Sequence, residues 1–181
     1  YFGTESMDAS SIPVNVAEDM ENYLMKNDPY RLLVDRDQIE LHGIRDGKST
    51  DILGAEVTPV EVDHSHVNTE TLGFMLEGDE RKLLYLSDFD RWSPSILEKL
   101  KEVDVAIIDG TFWDRQEIDR YDEVPHPTMQ NTMEKTSDLE TDIYFTHLNH
   151  TNPALREDSG ERQEVEEKGF GVVERGMEFE I

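Results

Sequence analysis

Apolar residues recur along this chain at two periods, and the period changes part-way. Val16, Met20 and Leu24 fall at a spacing of four, which predicts a helix over Val14 to Met25. Asn27-Asp28-Pro29 then reads as its stop, because a proline disfavours helical geometry at the residue before it. Gln38 to Ile44 alternates as a strand, with Ile39 and Leu41 on one face, and Arg45 to Ser49 is a polar turn. From Ala55 the period is two: Val57 to Val62, Thr71 to Leu76 and Leu83 to Leu86 each predict a strand, the last two joined by a hairpin through Glu77-Gly78-Asp79-Glu80. Ser93-Pro94 opens a helix to about Lys101 with Ile96, Leu97 and Leu100 inward, Ser93 serving as N-cap. Val103 to Ile108 is a compact apolar strand, followed by a helix over Thr128 to Lys135 and a strand over Ile143 to Phe145. Ser159 to Lys168 reads as a short helix, and Gly171 to Ile181 as a strand pair around Arg175-Gly176. Strands alternating with helices in the second half predict an α/β layered domain, one unit over residues 1–181.

Composition narrows the chemistry. The 181 residues carry 42 acidic and 17 basic side chains, a net charge of −25. Such a surface repels phosphate backbones, so nucleic-acid binding and tRNA processing are disfavoured and a small-molecule substrate is expected. There is no apolar run of membrane-spanning length and no signal-peptide pattern, so the expectation is a cytoplasmic protein with no membrane partner. Homo-oligomerisation stays open. The chain opens on Tyr1 rather than Met, from which upstream sequence is expected. Cysteine is absent, which excludes disulfides, iron–sulfur clusters, thiolate ligands and a cysteine nucleophile. A metal here must be held by His, Asp, Glu and water.

Five of the six histidines sit where elements end. Val60-Glu61-Val62 runs into Asp63-His64-Ser65-His66, Leu84-Tyr85-Leu86 into Ser87-Asp88, and Ile143 to Thr146 into His147-Leu148-Asn149-His150. Three apolar strands thus deliver an imidazole or a carboxylate at their C-terminal ends, where layered α/β folds place their sites. Imidazole with carboxylate suits zinc, manganese or iron. Each piece alone has a plainer account: an Asp after a strand caps a turn, and a loop His meets solvent. His42 alternates within a strand and reads as structural, and Trp92 and Trp113 read as packing.

The run from Val62 to Asp88 resembles the middle of metallo-β-lactamase-fold proteins: a His at a strand end, Thr71-Leu72-Gly73-Phe74, a hairpin, then Leu86-Ser87-Asp88. Asp109-Gly110-Thr111-Phe112-Trp113, His126-Pro127-Thr128-Met129, Thr146 to Pro153 and the tail around Gly176-Met177 resemble the pyrroloquinoline-quinone biosynthesis protein B branch of that superfamily. The resemblance implies an αββα sandwich, apparently lacking its N-terminal portion, that holds two divalent metal ions, zinc first, with manganese or iron as alternatives. It implies His64, Asp88 and His147 as metal ligands, with Asp88 bridging and His66 as competitor to His64. His126 is placed at the mouth as a proton donor or substrate contact, with Asp88 the other catalytic residue. His150 stands close behind, and Asp109 orients a ligand histidine. The branch's His-x-His-x-Asp-His signature does not occur in these 181 residues. The expected activity is attack of a metal-activated water on an ester, phosphodiester or lactone. The alternatives are an iron-dependent oxidase or hydroxylase, and a non-catalytic binding module with half a metal site.

Overall fold

The computed structural model describes residues 9–64 and 69–181. Ile12, Val14 and Val16 alternate as β1 (Ile12–Val16), which pairs in parallel with β2 (Ile39–Gly43) in a sheet of two strands. The helix expected from Val14 starts only after that strand, as α1 (Glu18–Lys26), with Glu18, Asp19 and Glu21 complementing the positive end of its dipole. Val14 and Val16 satisfy both periods, and β-branched residues favour the strand. Pro29 begins a helix as well as ending one: α2 (Asp28–Asp35) carries it in the first turn, where its missing N–H costs nothing.

The remaining strands form one sheet of seven in sequence order. The short β3 (Thr50–Ile52) pairs antiparallel with β4 (Ala55–Val62), which runs antiparallel to β5 (Thr71–Glu77), itself antiparallel to β6 (Lys82–Leu86). The pairing then turns parallel through β7 (Val105–Asp109), β8 (Asp142–Thr146) and β9 (Gly171–Val172). The crossovers carry α3 (Pro94–Leu100), α4 (Met129–Thr136) and α5 (Gly160–Glu167). Each of these helices has a hydroxyl cap: Ser93, Thr128 and Ser159 accept from the amides of Ile96, Asn131 and Arg162. The strand pair expected around Gly176 is not formed; β9 ends at Val172, a turn returns Met177 N–H to the Glu174 carbonyl, and Phe179 packs edge-on against Tyr144.

Cross-strand register explains the core. Leu84, Ala106 and Ile143 lie abreast, as do Leu86, Ile108 and Phe145, so one face of the sheet is continuously apolar. Phe89, Ile96, Leu100 and Val103 close over the first set, and Met129, Met133 and Val165 over Phe145, while Phe170 packs against both groups. By contrast α1 and α2 bury no residue, and Met20, Tyr23, Met25, Tyr30 and Leu32 are exposed on them. Amide exchange is therefore expected to be fastest in β1, β2, α1 and α2, and slowest in β6 to β8, because local opening is cheapest where little apolar surface is buried. Uniform protection across the chain would contradict this packing. No helix among the described residues is long and apolar enough to cross a membrane.

Candidate metal centre

The parallel register puts the ends of β6, β7 and β8 on one edge of the sheet, and the loops leaving them are tied together. The Asp90 amide donates to the Asp63 carbonyl at 2.8 Å, which keeps the end of β4 and His64 beside the end of β6. The Gly110 amide donates to the Thr146 carbonyl at 2.8 Å, and the Asn149 amide to the Thr111 carbonyl at 3.0 Å, which joins the loops after β7 and β8. Gly110 is required by space: a Cβ there would lie 2.9 Å from the Phe145 Cβ and 3.2 Å from the Thr146 carbonyl oxygen.

On this edge Asp88 Oδ1 stands between two imidazoles, 3.7 Å from His64 Nε2 and 3.5 Å from His147 Nε2. Ligands of a tetrahedral zinc, held at roughly 2.0–2.2 Å, are separated by about 3.3–3.6 Å. The spacing therefore fits Asp88 and each imidazole around a cation, with Asp88 able to serve both. Each ring is held from behind on its other nitrogen. His64 Nδ1 is 2.9 Å from Asp90 Oδ1, and His147 Nδ1 is 3.0 Å from Thr111 Oγ1. Fixing Nδ1 with an outer partner is how a protein aims Nε2 at a metal.

Asp109 is the hub beneath. It is fully buried, and its Oδ2 accepts from the Asp88 amide at 2.9 Å and from His126 Nδ1 at 3.1 Å, while Oδ1 accepts from the Thr111 amide at 2.9 Å. Burial would push this carboxyl up, but the hydrogen bond from His126 and the nearby His147 ring, with the charge of His126 and the Thr111 amide, outweigh it and hold Asp109 well below the usual carboxylate range. The nearby Asp109 carboxylate raises His147, against partial desolvation and with help from the charge of Asp88. Asp88, Asp109, His126 and His147 offer ligand atoms that all lie within 4.8 Å of one another. Both Asp109 oxygens accept hydrogen bonds, from the Asp88 amide and His126 on one side and the Thr111 amide on the other, so the carboxylate fixes the groups around it.

His126 is not at the mouth. It is only 5% exposed, because Phe112 and Thr128 form a bridge that draws this segment into the sheet edge and the Tyr121 hydroxyl donates to the His126 carbonyl. Its ring lies 5.3 Å from that of His64 and 6.0 Å from that of His147. His150 does not join the group; the turn closed by the Asn152 amide on the Asn149 carbonyl leaves it exposed at the corner. His66 lies outside the described residues. His42 lies within β2 as expected, exposed and 3.7 Å from Glu40. Trp92 packs edge-on against Phe89, and Trp113 is buried among Met129, Met133 and Phe145. Sequence reading missed Asp90 and Thr111. The signal for Asp90 was its place two residues after Asp88; nothing in the pattern singled out Thr111.

Asp88 and His147 share a further property: their φ angles are +55° and +59°. The left-handed region is uncommon for residues with a Cβ, though Asp and His enter it more readily than most, and such strain collects at functional sites. His147→Gly is therefore expected to be more stable than His147→Ala by about 1 kcal/mol, since both lose the ring and only glycine loses the backbone penalty. Thermal melts of the two variants read the difference, and the opposite order would rule out this backbone.

The family model described as the beta-lactamase superfamily domain matches residues 3–148. The chain belongs to this superfamily. Among its curated relatives, the coenzyme PQQ synthesis protein B of Gluconobacter oxydans is 29% identical over 123 residues, covering 62% of this chain and 40% of the relative. The protein of the same name from Pseudomonas syringae pv. tomato is 29% identical over 126 residues, covering 62% and 41%. This superfamily chain thus spans about 40% of the length of the curated relatives it matches. The crystal structure of zinc-bound PqqB from Methylobacterium extorquens superposes with a TM-score of 0.81 at 20% identity, covering 94% of this chain and 65% of that one. A diphosphatase of the PhnP family gives a TM-score of 0.66 at 21% identity, covering 97% and 60%. The mixed α/β architecture, with α3 to α5 in the crossovers of the seven-stranded sheet, agrees with the αββα sandwich of this superfamily.

Proposed function

We propose that this chain carries the metal-binding edge of a metal-dependent hydrolase acting on an ester, phosphodiester or lactone of a small molecule. The observation that carries the reading is Asp88 Oδ1 flanked at 3.5 and 3.7 Å by the Nε2 atoms of His147 and His64, each ring anchored on Nδ1. A divalent cation bound there would supply an activated water and polarise the substrate oxygen. Asp88 and His147 would hold that cation, with His64 facing Asp88 from its other side. Were two cations bound, Asp88 would be open to both, with His147 on one side and His64 on the other. Asp109, ionised, keeps the His126 proton on Nδ1 and leaves Nε2 free to take a proton from the attacking water. His126 returns that proton to the leaving oxygen as the ester bond breaks.

The second reading is iron-dependent oxidation, favoured by likeness to coenzyme PQQ synthesis protein B, since imidazole and carboxylate also suit iron. The test is metal uptake by the metal-free chain from zinc, manganese and ferrous iron, followed by assays on bis(p-nitrophenyl) phosphate and on a lactone panel. Zinc or manganese uptake with hydrolysis supports the first reading. Iron uptake with dioxygen consumption and no hydrolysis overturns it for the second, and uptake of none leaves a non-catalytic module.

A further inference from the structure

Three nitrogens converge on one oxygen beneath the site, and the way that crowding is relieved identifies a positioning residue. Asp109 Oδ2 already accepts from the Asp88 amide at 2.9 Å and from His126 Nδ1 at 3.1 Å. His147 Nδ1 also faces it, but at 3.4 Å, the longest of the set. A carboxylate oxygen has two lone pairs, so the third donor needs another acceptor. Thr111 Oγ1 supplies it at 3.0 Å. The hydroxyl proton is free to be donated elsewhere, and the His147 carbonyl lies 3.3 Å away to receive it.

We propose that Thr111 is the positioning residue of the metal centre, gripping His147 at both ends, by the ring nitrogen and by the backbone carbonyl. Resting on the metal-site reading above, this gives one buried hydroxyl two tasks. It accepts the Nδ1 proton, which fixes the tautomer whose Nε2 faces Asp88. It also braces the carbonyl of a residue held at φ +59°, a conformation that an unbraced histidine would tend to leave. Thr111 is itself only 7% exposed, and its amide is bonded to Asp109 Oδ1, so the hydroxyl has little freedom to turn away. Thr111 Oγ1 also lies 3.3 Å from His126 Nδ1, but Asp109 is nearer that ring at 3.1 Å and Thr111 nearer the His147 ring at 3.0 Å, so His126 leans chiefly on Asp109 and His147 on Thr111.

Thr111→Val keeps shape and removes the hydroxyl, whereas Thr111→Ser keeps the hydroxyl and removes a methyl. Zinc titration of the full chain by calorimetry is expected to show affinity falling about 10–100-fold in Thr111→Val, the usual loss for an outer-shell partner, and returning to within about threefold of the parent in Thr111→Ser. An unchanged affinity in Thr111→Val overturns the proposal, as does a loss that Thr111→Ser fails to recover, which would assign the effect to methyl packing. A measurement on the unsubstituted metal-free chain needs no variant: ¹H–¹⁵N long-range spectra should show His147 protonated on Nδ1 when neutral. Protonation on Nε2 overturns the proposal even if Thr111→Val does not fold. A chain that takes up no zinc sinks the metal-site reading, while the nitrogen pattern still decides Thr111.

Discussion

Asp88→Asn is expected to abolish metal uptake and any hydrolysis that depends on it while leaving the fold intact. The carboxylate is the one group that faces both Nε2 atoms, and no other carboxylate oxygen among the described residues is placed to replace it without breaking the Asp109 hub. An amide keeps the volume and the oxygen but removes the negative charge, so two imidazoles would face a cation with no counter-charge between them. Outer partners of metal ligands contribute about 10–100-fold in affinity, and a shared ligand should exceed that upper bound. Asparagine also tolerates left-handed backbone, so the φ of +55° at this position is not an obstacle. Zinc calorimetry with a thermal melt checks both halves. Retained zinc affinity would remove Asp88 from the site.

The largest loss of stability is expected one residue further on. Phe89 is fully buried in the cluster formed by Leu84, Leu86, Ile96 and Leu100, and meets Trp92 edge-on at 5.1 Å between ring centroids. Truncation to alanine removes that volume where sheet and α3 meet, so Phe89→Ala is expected to cost about 3–5 kcal/mol, read by urea denaturation. A cost below about 1 kcal/mol would mean that the site collapses without a cavity. Because Phe89 follows Asp88 directly, it also anchors the turn that aims the carboxylate, and weaker zinc binding should accompany the loss even where the variant remains folded.

Much of the fold is legible in the sequence alone. Strands β4 to β8 announce themselves because their apolar residues face a helix-covered core, and Ser93-Pro94 marks the start of α3 through cap chemistry that depends only on neighbours in sequence. That His64, Asp88 and His147 come together was legible for a related reason: each follows directly or closely on an apolar strand, and those strand ends share an edge. The start of the chain was harder. Val14 and Val16 fit a helical stripe as well as a strand, and what decides between them is pairing with β2, more than twenty residues away. Pro29 was ambiguous because the same ring ends one helix and starts another. His126 was placed in sequence but not in depth, since its burial depends on a bridge between Phe112 and Thr128 that no local pattern records. Thr111 was invisible: a threonine after Asp-Gly reads as a turn residue until its hydroxyl is seen between two rings.

The alignment of β6 with β7 and β8 has a consequence for errors in assembly. Side chains alternate faces along a strand, so sliding β6 by one residue would present Ser87 or Phe89 where Asp88 belongs and at the same time turn Leu84 and Leu86 away from the helices. A mispaired chain cannot keep a sound interior with a faulty centre, because one shift spoils both. Quality control over that edge is thereby delegated to oil-drop physics: whatever molecules survive with the correct interior also carry the correct constellation.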